Sequence, residues 1–209
     1  MASVATVARR AVGKIRPEKS ALLVCDMQER FRSVISGFPS ILEVTSTMVS
    51  ASSLLKVPVV VTEQYPKAFG HTVPELGKVL PDNTKIFEKK LFSMVTPETA
   101  EELKTLGVES AILVGIETHV CVLQTTLDLL EMGIDVHIIS DGVSSQRLGE
   151  RQMALERLRQ SGAFITSCES MLFQLMQSAG HEHFRAISGM VKEQAQKSDK
   201  DSLLGTSAL

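Results

Sequence analysis

Residues 111–125 read AILVGIETHVCVLQT. Four apolar residues run without alternation up to Gly115, the pattern of a short strand buried on both faces. A mostly apolar helical pattern follows almost at once, over 120–132, and Gly133 stops it. Between strand and helix lies ETHVC, which puts Cys121 in the first turn of the helix. First-turn N–H groups have no intrahelical partner, and the macrodipole places partial positive charge there. A thiolate is stabilised at such a place, so Cys121 reads as a nucleophile. It reads equally as one more small buried hydrophobe, the commonest fate of cysteine. The rest of the chain has to separate the two.

Outward from this stretch, runs of strand length recur between helical patterns. Strands are expected at 20–26 (SALLVCD), 57–62 (VPVVVT), 85–88, 111–116, 135–140 (DVHIIS) and 163–167 (AFITS). Helices are expected over 38–55, with Ile41, Val44, Met48 and Leu55 on one face, and over 97–106. Thr96 caps the latter, Pro97 suits its first position and Gly107 ends it. Further helices are expected over 120–132 and 149–160, and a last one begins over 171–177. The stretch EQYPKAFGHTVPEL after the second strand reads as a long irregular loop. Continuously apolar strands alternating with helices describe an α/β fold: a three-layer α/β/α sandwich around a six-stranded parallel sheet.

Bulk properties bound the function. The chain has 209 residues, enough for one well-packed domain, with 44% hydrophobic and 22% charged residues. A net charge of −2 argues against a general nucleic-acid binder, so no nucleic-acid partner is expected. Three cysteines without metal-like spacing give no disulfide framework and suit a reducing compartment. No apolar run approaches the ~18 residues of a span, so no membrane partner is expected. Residues 1–19 carry Arg9, Arg10, Lys14, Arg16 and Lys19 against Glu18. They read as a flexible basic leader on a cytoplasmic protein, or as a mitochondrial targeting segment. One main domain is expected over 20–185, and 186–209 as the end of a helix and a loosely held polar tail.

Ligands of open α/β sheets bind outside the carboxyl ends of the strands, where strand order reverses. With the order 3-2-1-4-5-6, Asp26 at the end of the first strand and Cys121 after the fourth meet at that point, and Lys89 follows the third strand on the same edge. Asp26 serves there as general acid/base, Lys89 supplies charge that favours thiolate and carboxylate together, and Cys121 attacks. Backbone N–H groups around Glu117 and Cys121 form the oxyanion hole. Taken singly, Asp26 caps a turn, Lys89 is a solvated partner of Glu88 and Cys121 is core; their convergence favours chemistry.

The pieces ALLVCDMQERF, TEQYPKAFGHTVPEL, KKLFSM and GIETHVCVLQTTLDLLEMGIDVHIISDGVSS stand in order along the chain. In these the chain resembles the isochorismatase-like cysteine hydrolases over about residues 20–180, and within them the isochorismatase domain-containing proteins of eukaryotes. The resemblance implies the strand order 3-2-1-4-5-6 and an Asp–Lys–Cys triad on Asp26, Lys89 and Cys121. Lys90 competes for the lysine role, but Lys89 keeps the K-x-x-[FY]-S spacing to Phe92 and Ser93. A non-proline cis peptide at Ile116–Glu117 is implied as well.

Metal-binding nicotinamidases of this superfamily hold a divalent ion through an Asp-x-His pair and a second histidine after the second strand. This region offers Glu63, Gln64 and a single His71. No metal and no cofactor are expected, and His181 and His183 read as surface residues. The expected function is a metal-independent cysteine hydrolase of a small carbonyl or amide through a thioester-type intermediate. The alternatives are a nicotinamidase- or carbamoyl-type amidase and a non-catalytic interaction protein on the same fold. Gln28, Phe31, Gln64, Tyr65 and His119 are candidates for the pocket wall. A small-molecule substrate and a homo-oligomer, dimer or tetramer, complete the expectations.

Overall fold

A computed structural model describes residues 12–198 and Leu203. Six strands form one parallel sheet in the order β3-β2-β1-β4-β5-β6: β1 Ser20–Cys25, β2 Val59–Gln64, β3 Lys85–Lys89, β4 Ser110–Ile116, β5 Asp135–Ser144 and β6 Phe164–Thr166. The central pair decides the architecture. Every residue of β1 and β4 is buried, because each alternate face is covered by helices and neither face can carry polar side chains.

One face buries Leu22, Val24, Ile112 and Val114 against α1 (Phe38–Leu54), α7 (Cys168–Met176) and α8 (Phe184–Ser198). The other buries Leu23, Cys25 and Leu113 against α4 (Pro97–Thr105), α5 (Leu123–Glu131) and α6 (Leu148–Gln160). Each fully buried aliphatic side chain contributes about 1.5–3 kcal/mol. Two short helices, α2 (Pro66–Phe69) and α3 (Pro74–Gly77), occupy the stretch expected to be irregular. Both start at proline, whose fixed φ suits a first helical turn.

The departures from the sequence reading have local causes. β2 starts two residues later, after Pro58, and runs on to Gln64 because Glu63 and Gln64 pair with Glu88 and Lys89 of β3. Both are buried polar residues, invisible to a hydrophobic pattern. β5 outruns its expected end at Ser140: its pairing with β4 shifts between Leu113 and Gly115, then resumes with Gly115 opposite Val143 and Ile116 opposite Ser144. α7 begins at Cys168, ahead of Met171, because the Ser167 hydroxyl accepts from Ser170 N and Asp141 accepts from Cys168 N.

Both ends of the domain also differ. Residues 1–11, with Arg9 and Arg10, lie outside the described residues, but Ile15 is in the core and Arg16 pairs with Glu109 at 2.7 Å. The polar run from Lys192 continues α8 as far as Ser198, with Val191 and Gln194 buried on its inner face. Among the described residues no helix is long and apolar enough to cross a membrane.

Candidate active site

The carboxyl ends of β1, β3 and β4 converge at the switch point. β1 ends when Asp26 takes the left-handed conformation, φ 52°, which aspartate tolerates better than branched residues. Its backbone carbonyl then accepts from Gln28 N at 2.8 Å, and its carboxylate is pinned by the Thr62 hydroxyl, which donates to Oδ1 at 2.8 Å. β4 lies close alongside: a Cβ on Gly115 (φ +112°) would sit 2.1 Å from the Cys25 carbonyl oxygen. Only glycine lets the two strands approach this closely.

Lys89, the last residue of β3, is 4% exposed. Its Nζ donates to Asp26 Oδ2 at 2.7 Å, Gln64 Oε1 at 2.7 Å, Phe92 O at 2.9 Å and Leu91 O at 3.2 Å. An ammonium has three N–H donors, so these four acceptors share all of them. Burial alone would push the Lys89 ammonium down, but the surrounding Cys25, Asp26 and Cys121 charges and the Asp26 bond hold it above the ordinary lysine value. Lys90, its sequence neighbour, lies over the Tyr65 ring, 5.4 Å from its centroid.

After β4 the Ile116–Glu117 peptide is cis. The expected helical first turn is a π-type turn, Thr118–Val122, and α5 continues from it. Val120 N and Val122 N both donate to Glu117 O, at 3.0 and 3.1 Å, on either side of Cys121. The Thr125 hydroxyl holds the Cys121 carbonyl at 2.6 Å. Cys121 is 7% exposed and lines a cavity of about 140 Å³ together with Asp26, Phe31, Gln64, Phe69, Phe92, Ile116, Glu117 and Val120. The Phe31 and Phe69 rings stack at 5.0 Å between centroids.

Of the residues singled out in the sequence, Asp26, Lys89 and Cys121 are brought together, and Phe31, Gln64 and Glu117 border the same cavity. Gln28 is elsewhere: fully buried, it accepts from Gln64 N at 2.7 Å and donates to Gln64 O at 3.0 Å and Gly70 O at 2.6 Å. It ties the end of β2 to the loop after α2. Tyr65 borders the neighbouring hollow with Lys67 and Lys90, and His119 Nδ1 sits 3.0 Å from Ser145 Oγ. Neither borders the cavity. His71 is 2.9 Å from the Glu63 carboxylate, whose other oxygen takes Thr72 N and Oγ1. Phe69, Phe92, Ile116 and Val120 escaped the sequence reading. Phe92 alone carried a signal, as the aromatic of the K-x-x-F-S motif.

Cys25 escaped as well. Its Sγ, the Cys121 Sγ and one Asp26 carboxylate oxygen lie within 4.8 Å of one another, and the Cys25 thiol donates to Asp26 Oδ2 at 3.6 Å. Burial, then its contact with Cys121 and the negative charge of Asp26, pushes the Cys25 thiol well up.

The chain matches known proteins over nearly its whole length. The isochorismatase domain model covers residues 20–170. The secreted isochorismatase effector Isc1 of Phytophthora sojae is 51% identical over 92% of this chain and 93% of its own. Isochorismatase domain-containing protein 2 of Homo sapiens is 44% identical over 90% of each. The solved structure of MAR1 ribonuclease from Caenorhabditis elegans superposes with a TM-score of 0.83 at 45% identity, over 86% of this chain and 92% of that one. With the six-stranded sheet in the order β3-β2-β1-β4-β5-β6 and a domain match of this extent, the chain belongs to the isochorismatase domain family.

Proposed function

We propose that this protein is a cysteine hydrolase that acts on a small carbonyl compound, an amide or a related electrophile, through Cys121. One observation carries the reading: a buried 2.7 Å Lys89–Asp26 ion pair beside a thiol that opens on a small aromatic-lined cavity. In this reading the Cys121 thiolate attacks the carbonyl carbon, the C–S bond forms and the oxygen takes the electron pair. N–H groups of the Glu117–Cys121 turn receive that oxyanion, where such donors are worth about 3 kcal/mol each. Asp26, carrying the proton it took from the Cys121 thiol, gives it to the leaving group as the C–N or C–O bond breaks, then takes a proton from the water that cleaves the thioester. Lys89 holds the Asp26 carboxyl through the 2.7 Å ion pair and places positive charge beside the thiol.

Relatives carry names that point to other bonds: an isochorismatase and a ribonuclease. None of the described residues that line the cavity is a cation, and Lys89 beside it spends its donors on Asp26, Gln64 and two backbone carbonyls, which favours a small uncharged carbonyl over RNA. We also read the chain as a homo-oligomer, with Met132, Met153 and Phe173 among its exposed apolar side chains; light scattering on the eluted species measures this. The functional test is the pH profile of alkylation at each cysteine, resolved by peptide mass, in the wild type, Asp26→Ala and Lys89→Ala, followed by a screen of small amides, esters and isochorismate. Alkylation of Cys121 faster than that of Cys25 and Cys168, and slowed in Lys89→Ala, is expected. A Cys121 that stays silent while Cys25 and Cys168 label would remove the nucleophile and leave a binding role on this fold.

A further inference from the structure

The second thiol at the site has no part in the hydrolytic cycle. Cys25 is completely buried and does not border the cavity, whereas Cys121 does. Their sulfurs lie within 4.8 Å of each other, with Asp26 beside both. Both side chains belong to the same core layer, between the sheet and α5, while Cys168 sits in the layer on the opposite face. A disulfide needs its sulfurs at about 2.05 Å, so Cys25 and Cys121 are under about 3 Å from bonding distance. Cys121 stands in a π-type turn between β4 and α5. Cys25, at the end of β1, is fixed between β2 and β4.

We propose that Cys25 and Cys121 form a reversible disulfide, in which Cys121 is oxidised first and Cys25 resolves it. The asymmetry of exposure fixes the order, since an oxidant entering through the cavity meets Cys121 and not Cys25. A hydroperoxide transfers oxygen to the Cys121 thiolate: the O–O bond breaks, the sulfur gives up two electrons and the alcohol or water leaves, with Cys121 as sulfenic acid. The Cys25 sulfur then attacks the Cys121 sulfur and the S–O bond breaks. The Cys25 proton passes to Asp26, its hydrogen-bond partner at 3.6 Å, and from there to the departing hydroxide as water. A dithiol reductant reverses the bond by exchange. The arrangement protects Cys121 from the irreversible sulfinic stage and closes the site while oxidant is present.

The pair does not depend on the hydrolase reading, and its test needs no substrate. The full-length protein is treated with a few equivalents of hydrogen peroxide, quenched with iodoacetamide and digested with trypsin without reduction. Cys25 lies in the peptide 20–30, Cys121 in 105–147 and Cys168 in 160–185. The expected product links 20–30 to 105–147, weighs two hydrogens less than the separate peptides and disappears on dithiothreitol treatment. Alkylation of Cys121 returns with it. In Cys25→Ser the link is lost and Cys121 proceeds to the sulfinic acid, two oxygens heavier, which dithiothreitol does not restore. Cys168→Ser behaves like the wild type. The proposal is overturned if wild-type Cys121 is oxidised to sulfinic acid without the 20–30 to 105–147 link, or if the link involves 160–185. Should Cys25→Ser fail to fold, the wild-type peptide map decides alone.

Discussion

Two sets of an aspartate, a cation and a cysteine sit at strand ends on this sheet. Asp26, Lys89 and Cys121 meet at β1, β3 and β4; Asp141, Arg151 and Cys168 meet at β5, α6 and α7. Both aspartates are buried, at 1% and 6% exposure. In the first set the cation bonds the carboxylate directly and the thiol faces a cavity. In the second, Arg151 donates to backbone carbonyls, Nε to Val143 O at 2.9 Å and Nη2 to Ser140 O, its buried Nη1 has no partner among the described residues, and Asp141 Oδ1 accepts from Cys168 N at 2.9 Å. Burial, then the charges of Asp141 and Glu169, pushes the Cys168 thiol well up. Burial also pushes Asp141 up. The second set is a cap that fastens α7 to β5. What distinguishes the two sets is where the polar groups point their hydrogen bonds, since each joins a carboxylate, a cation and a thiol.

The contrast breaks most visibly at the thiols. Cys121→Ser should lower turnover on any substrate found by on the order of 10³-fold or more, whereas Cys168→Ser should leave Cys121 alkylation unchanged and lower stability by about 1–3 kcal/mol through its buried hydroxyl. Loss of turnover in the Cys168 variant at unchanged stability would erase the distinction. Next come the cations. Lys89→Met strands Asp26 in the interior and should cost about 3–5 kcal/mol in urea unfolding. Arg151→Met leaves Asp141 its bond to Cys168 N and strands carbonyls instead, at about 1–3 kcal/mol.

Two glycines beside the sets sharpen the comparison. An alanine Cβ at Gly115 would meet the Cys25 backbone at 2.1 Å, while one at Gly142 would meet the ends of the Val114 and Val44 side chains at 3.0 Å. Backbone cannot give way as a methyl can, so Gly115→Ala should lower the unfolding free energy by about 3 kcal/mol, and Gly142→Ala by about 1 kcal/mol. The smallest effect is in the pH dependence. Asp141 holds its proton more tightly folded than unfolded. Its contribution is therefore complete below the ordinary carboxylate value and is lost as pH rises through the raised one. The stability of the wild type relative to Asp141→Asn should fall over that rise, and a rise instead would reverse the assignment.

Much of this protein was legible in one dimension. Apolar runs without alternation located β1 and β4, since a strand covered on both faces leaves no position for a polar side chain. Thr96, Pro97 and Gly107 marked both ends of α4, and Thr96 does accept from Thr99 N. Gly115 ended an apolar run, and the close approach to Cys25 explains why a glycine stands there. These are local signals: each depends on residues a few positions apart.

The polar members of buried structure were not legible. Glu63 and Gln64 extend β2, and Gln28 ties a loop, because their hydrogen bonds are satisfied by distant backbone. Nor did any pattern place Phe69, Phe92 and Val120 around Cys121, or Cys25 beside it. The order of residues was enough for the elements and their alternation and, with the family motif, it singled out Asp26, Lys89 and Cys121, which the fold brings together. Only the tertiary structure decided which side chains face the cavity, which thiol is reachable and where each buried donor is spent. Burial periodicity is written along a segment, whereas a cavity wall and a hydrogen-bond partner come from segments that meet only when the sheet closes its core.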